Sequence, residues 1–157
     1  MVLAAAEMAA AGADCELILE ELESMKEKVC SSFIVDSTEH LYRNGKVSKT
    51  VVNISKIFSL RPVLYLKDSR MVVSDICIGD SRNCAKSYIR KILKDSDTIN
   101  PETVFLISAG CSYEFLIFVK EEIQKRVKWK NIIVNTASAT VTSNCGPGTF
   151  GILFARK

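Results

Sequence analysis

The chain has 157 residues, 48% of them apolar and 25% charged, with a formal net charge of +3. Its length and balance describe one ordinary globular domain and exclude a disordered, fibrous or collagen-like chain, since Gly (7) and Pro (3) are both scarce. The charge is too small to point to nucleic acid by itself. Residues 2–11 predict a short Ala/Met helix that Gly12 closes. Asp14 is the N-cap of a second helix over 15–29, where Ile18, Leu22, Met25 and Val29 form one buried stripe. Glu16, Glu20, Glu21 and Glu23 cover its other face. Ser32–Ser37 is a short β segment, and Ser37 caps a helical turn that Asn44-Gly45 ends. Ser48 opens a further helix with Val51, Ile54, Ile57 and Phe58 as its apolar stripe, and Pro62 forbids its continuation.

Pro62–Leu66 and Met71–Ile78 are two β runs around Lys67–Arg70, the pattern of a hairpin. Asp80 or Ser81 caps a helix to about Leu93, with Ala85, Ile89, Ile92 and Leu93 inward. A polar loop over Asp95–Asn100 leads to Thr103–Ser108, a continuous apolar strand suited to the middle of a sheet. Gly110 turns the chain into a helix over 112–128 with Phe115, Phe118, Val119, Ile123 and Val127 inward. Asn131–Asn135 is another strand, Thr136–Cys145 a stretch of small residues, and Thr149–Arg156 the last strand, after Gly146-Pro147-Gly148. The class is α/β: a mixed six-stranded sheet packed with helices.

Six cysteines, at 15, 30, 77, 84, 111 and 145, include no C-x-x-C pair, and His40 is the one histidine, so the pattern offers no zinc site. Reduced thiols used as small apolar residues are expected, which suits the cytoplasm. No apolar run reaches the length of a membrane span, and Met1–Glu7 lacks the basic start of a secretion signal. Cys111 follows a strand at the start of a helix, where the dipole favours a thiolate. A nucleophilic thiol also needs a base, and only His40 offers an imidazole. Gly146-Pro147-Gly148-Thr149 is either a tight turn or a backbone-amide cradle for an anion, and lacks the Lys-Ser/Thr of a P-loop. Those two features support one alternative, a small cytoplasmic enzyme acting on a phosphorylated substrate through Cys111 or the Gly146–Gly148 loop. Arg43 and Lys46 flank a turn, as cations at a helix C-terminus or as contacts for phosphate or a partner's acids. Lys120–Lys130 holds the one Trp, but Glu121 and Glu122 stand four residues before Lys125 and Arg126, so i,i+4 pairing explains it and no nucleic-acid partner is expected.

Thr140–Ile152 (T-V-T-S-N-C-G-P-G-T-F-G-I) resembles the C-terminal signature of the DegV family of bacterial fatty-acid-binding proteins, roughly V-I-G-x-H-T-G-P-G-T-L-G. Four other segments resemble family motifs in the family's order. Ala4–Ile18 is similar to its A-A-x-L-A-x-x-G helix pair, and Leu41–Ser48 to L-x-R-G-G-R-I-S. Leu60–Leu64 is similar to I-K-P-I-L, and Lys67–Met71 to the K-D-G-x-I turn.

The resemblance implies a two-domain protein. One domain has a Rossmann-like parallel sheet whose Ser/Thr hydroxyls hold a fatty-acid carboxylate. The other has a mixed six-stranded sheet that supplies much of the acyl tunnel. The matching segments belong to the second, so residues 1–30 are expected as a helical segment preceding or packing on a sheet domain over 31–157. An N-terminal carboxylate-binding domain is expected to be missing from this sequence. The implied role is non-catalytic and cofactor-free. The protein binds a long-chain fatty acid and presents it to a separate fatty acid kinase catalytic subunit for acyl-phosphate formation, with transient contact at a membrane surface. Arg43, Lys46, Asn144, Gly146, Gly148 and Thr149 are the implied residues near the head group and partner. Phe33, Ile54, Phe58, Leu64 and Phe150 are the candidates for the acyl tail. Asn144 replaces the family's His, and Asn donates a hydrogen bond but carries neither charge nor a transferable proton. Ala109-Gly110 likewise replaces a common His-Gly, which marks a divergent member.

Overall fold

The computed structural model describes residues 1–45, 47–67 and 70–157. Its strands are β1 (Val29–Ile34), β2 (Leu60–Lys67), β3 (Arg70–Ile78), β4 (Ile99–Ala109), β5 (Asn131–Thr136) and β6 (Thr149–Arg156). Its helices are α1 (Val2–Ala10), α2 (Cys15–Lys26), α3 (Glu39–Arg43), α4 (Lys49–Phe58), α5 (Ser81–Ile92), α6 (Tyr113–Arg126) and α7 (Ala139–Cys145). The strands form one sheet in the order β3-β2-β1-β6-β4-β5. Neighbours are antiparallel except β4 and β5, which run parallel around the α6 crossover. This is the mixed six-stranded sheet packed with helices that the periodicity predicts.

Short polar side chains start the helices. Asp14 accepts the Leu17 amide at 2.8 Å, Asp80 accepts the amides of Arg82 and Asn83 at 3.0 Å, and Ser112 accepts that of Phe115 at 3.3 Å. Four expectations need correction. The second helix stops at Lys26, because Val29 pairs with Ala155 and opens β1, and its stripe of Ile18, Leu22 and Met25 is half-buried rather than buried, since only part of this sheet face is covered. Asp36 and Ser37 therefore lie beyond the end of β1, in the turn before α3. The strand expected from Thr103 begins at Ile99 and runs through Pro101, where the pairing with β6 slips between Ile99 and Val104 and a ladder N–H is not needed. Within Thr136–Cys145 a helix forms, α7, capped by Ser138. The apolar stripe of α4 faces solvent: Ile54, Ile57 and Phe58 are exposed, and the buried side is Val52 and Ser55.

One face of the sheet is sealed by α5 and α6. Ile34, Val104, Leu106, Phe150, Ile152 and Phe154 pack there against Ala85, Tyr88, Ile89, Val119 and Ile123. Phe150 sits edge-on between Tyr88 and Phe115, with ring centroids 5.5 Å apart in both pairs. The Tyr88 hydroxyl is buried and satisfied: it donates to the Ser32 carbonyl at 2.9 Å and accepts the Ile152 amide at 3.3 Å. Burial raises its pKa, so it stays a neutral phenol. Trp129, in the basic stretch after α6, points into the same core against Phe154.

The other face is covered only in part. A small cluster of Val35, Leu41, Leu64 and Cys145 closes one end under α3 and α7. Met1, Leu3 and Ala4 at α1 and Met25 of α2 overhang the other end.

Candidate functional site

The half-open face is floored by alternate residues of the central strands. Side chains alternate along β6, so Phe150, Ile152 and Phe154 enter the sealed core while Gly151, Leu153 and Ala155 face the open side. Gly151 pairs with Phe33 on one side and Ile107 on the other. Its bare backbone is required there, because a Cβ would stand 2.8 Å from the Ser32 carbonyl oxygen and 3.0 Å from Phe33 Cβ. The result is a groove of about 470 Å³ with Phe33, Ile107, Gly151 and Leu153 as floor and Thr140, Val141 and Asn144 of α7 as wall. A second cavity of about 300 Å³ continues on the same face under Met1, Leu3, Ala4 and Met25.

The first groove ends at the Gly-Pro-Gly turn. Asn144 lines it and donates from Nδ2 to the Thr140 carbonyl at 2.8 Å. Thr149 also lines it, and its hydroxyl donates to the Cys145 carbonyl at 3.0 Å. Asn44 Nδ2 donates to the Ser143 carbonyl at 3.1 Å, which ties the end of α3 to α7 and brings Arg43 to the same end of the molecule as Asn144. Lys46 lies outside the described residues.

The turn is a packed hinge and offers no anion cradle. The Gly146 amide donates to the Thr142 carbonyl and the Gly148 amide to the Ala109 carbonyl, both at 2.8 Å. Pro147 has no N–H to give. Both glycines have φ +81 and pack against side chains: a Cβ on Gly146 would meet the His40 ring, and one on Gly148 would stand 2.8 Å from Asp36 Cβ. The activated Cys111 of the alternative enzyme reading is not supported either. The thiol lies before the N-cap Ser112, donates to the Thr149 carbonyl at 3.5 Å, and is pushed by burial up to about 11.

Of the five tail candidates, Phe33 lines the groove. Leu64 is buried in the small cluster beside it. Phe150 belongs to the opposite face, 2% exposed in the sealed core. Ile54 and Phe58 stand on the outer side of α4, 45% and 59% exposed.

An ionic anchor beneath the turn escapes sequence reasoning. Arg61 donates from Nε to Asp36 Oδ1 at 2.7 Å, from Nη2 to Ser81 Oγ at 3.1 Å, and from Nη1 to the Gly79 carbonyl. Ser81 Oγ donates to the same Asp36 oxygen at 3.2 Å. Burial works against the Arg61 charge, and the Asp36 carboxylate outweighs it and holds the guanidinium's pKa above its usual value. The anchor joins the ends of β1, β2 and β3 to the first turn of α5. The groove residues Ile107, Thr140, Val141 and Leu153 are also new. The signal for Leu153 was present in the two-residue alternation of Thr149–Arg156, which puts it opposite Ile152 once one face is known.

Among the described residues no cluster of three or more His, Cys, Asp or Glu could hold a metal ion, and no helix is long and apolar enough to cross a membrane.

Comparison with known proteins adds three kinds of likeness. The profile of a family described as uncharacterised proteins of the DegV family matches residues 1–157. A DegV domain-containing protein of Clostridium perfringens is 27% identical over 154 residues, 98% of this chain and 53% of that protein. A Thermus thermophilus DegV family protein, solved in a study of its fatty acid binding, superposes with a TM-score of 0.80 at 22% identity, over 99% of this chain and 55% of that one. The Streptococcus pneumoniae Fatty Acid Kinase (Fak) B3 protein, solved loaded with linoleic acid, gives a TM-score of 0.83 at 14% identity, over 99% of this chain and 54% of that one. The chain thus spans about half the length of the curated relatives it matches.

Proposed function

Because the chain belongs to the DegV family, we propose that it binds a long-chain fatty acid and presents it, without catalysing anything itself, to a partner kinase that forms the acyl phosphate. The observation that carries this reading is the groove of about 470 Å³ on a sheet face that the helices leave partly uncovered. Burying an acyl tail there releases roughly 0.8 kcal/mol per CH₂, so an apolar floor of this kind suffices as a driving force. Asn144 and Thr149 stand at one end of the groove with Arg43 close by, which suits a ligand with a polar head and an apolar tail. The fatty acid binding of the Thermus protein and the linoleic acid of the pneumococcal one support the reading by likeness of fold. Arg43 then faces the kinase, and the exposed apolar side of α4 meets the membrane surface from which the acid is loaded.

The chemistry of the alternative enzyme runs the other way. Its thiol is held protonated and its glycine amides are already bonded.

The test is direct. Native mass spectrometry of the purified chain incubated with palmitic acid is expected to show one acyl mass per chain, and palmitic acid is expected to raise the melting temperature. With a fatty acid kinase catalytic subunit and ATP present, acyl phosphate is expected only when the loaded chain is added. A chain that gains neither the acyl mass nor thermal stability would falsify the reading.

A further inference from the structure

We propose that Leu153 is a sill that sets the length of acyl chain the groove accepts; this rests on the fatty-acid reading above. Along the open side of β6 the floor reads Gly151, Leu153, Ala155, a tall residue between two low ones. The groove beside α7 and the cavity under α1 both lie against that strand, and Leu153 lines both of them. In its row across the sheet Leu153 stands between Ser31 of β1 and Phe105 of β4. Ser31 belongs to the first groove and Phe105 to the second cavity, so the row is the boundary between them.

The dimensions suit a division of one long path. From Thr149 to Ala155 the strand rises about 20 Å at roughly 3.3 Å per residue, the reach of an extended long-chain acyl group. The polar end lies at Thr149 and Asn144, so a tail laid along β6 meets Gly151 first and Leu153 next. A shorter chain ends against Leu153 within the first groove of about 470 Å³. A longer one has to pass over the leucine to reach the further 300 Å³ under Met1, Leu3 and Ala4. Leu153 is only half-buried, in contrast to Ile152 and Phe154 on the sealed face, so its side chain can change size without opening the main core.

The experiment is a chain-length profile. The purified chain and its Leu153→Ala and Leu153→Phe variants are each offered an equimolar series of straight-chain acids from decanoic to docosanoic, and the bound acids are read by native mass spectrometry. Leu153→Ala is expected to move the preferred acid to longer chains, with about a tenfold gain for palmitic relative to decanoic acid, the worth of about two further methylenes buried. Leu153→Phe is expected to move it to shorter chains. Circular dichroism melts verify that each variant is folded, and Leu153→Val replaces either one that is not, with a smaller shift toward longer chains expected. Variants that bind fatty acids with the parent's profile overturn the sill while leaving the binding reading intact. A parent chain that takes up no acid in the series overturns the binding reading, and the sill with it.

Discussion

Gly148 shows how a single missing side chain can organise the end of this sheet. Its φ of +81 is disfavoured for any residue with a Cβ, and that Cβ would press within 2.8 Å of Asp36 Cβ. Asp36 cannot retreat freely, because its carboxylate holds Arg61 and Ser81. Gly148→Ala is therefore expected to destabilise the chain by about 1–3 kcal/mol, measured as a lowered midpoint in urea, and a variant with the parent's midpoint would contradict the packing described. The glycines themselves were legible in the sequence as a turn. Their neighbours were not, because Asp36 and His40 lie more than a hundred positions earlier and nothing local to Gly146-Pro147-Gly148 announces them. The same distance hides Arg61, a surface-type residue in any window, whose partners are the Asp36 carboxylate, the Ser81 hydroxyl and the Gly79 carbonyl. Phe150 failed as a tail candidate for a related reason. Alternation separates Phe150 from Gly151 with certainty, but cannot say which face is left open.

Elements with strong caps and long apolar periods were readable, and elements built on weak propensity were not. Asp80 announces α5, and the apolar period of Phe115, Val119 and Ile123 announces α6. By contrast α7 is made of Ala, Thr, Val, Ser, Asn and Cys, a set of mostly indifferent helix formers, and it is held by its place between α3 and β4. The groove wall could therefore not be drawn from sequence. Asp80 also makes α5 sensitive to acid. Its carboxylate is held below the usual range, chiefly by the Asn83 amide, against a smaller opposing effect of burial. A depressed pKa means the charged form is favoured by folding, so the contribution is full above the ordinary carboxylate range and is lost as the pH falls through the folded value. Asp80→Asn keeps an acceptor oxygen but has no proton to gain. Its melting temperature is expected to fall less steeply than the parent's between neutral and acid pH, as followed by circular dichroism, and parallel curves would remove Asp80 from the acid transition.

The molecule as a whole is sealed on one side and loosely covered on the other, and its stability should be distributed accordingly. α1 and α2 contain no buried residue, whereas Val104, Leu106 and Ile152 are fully enclosed. In hydrogen exchange followed by mass spectrometry, α1 and α2 are expected to exchange well before β4 and β6, and protection of α1 equal to that of β6 would refute the loose cover. A bound acid is expected to slow α1 if its tail passes Leu153. Sequence periodicity revealed six strands and the class, but not their order, which depends on pairings between segments far apart in the chain. That order has a consequence for how the molecule comes into being. β6 is the latest of the six strands in sequence, yet it lies between β1 and β4 and is hydrogen-bonded to both. While a ribosome is still delivering the chain, the β1-β2-β3 meander and the β4-β5 pair exist as separate sheets, each with an inner edge unsatisfied. Only the emergence of Thr149–Arg156 from the exit tunnel unites them, so two sticky edges stay open until the last of these six strands arrives.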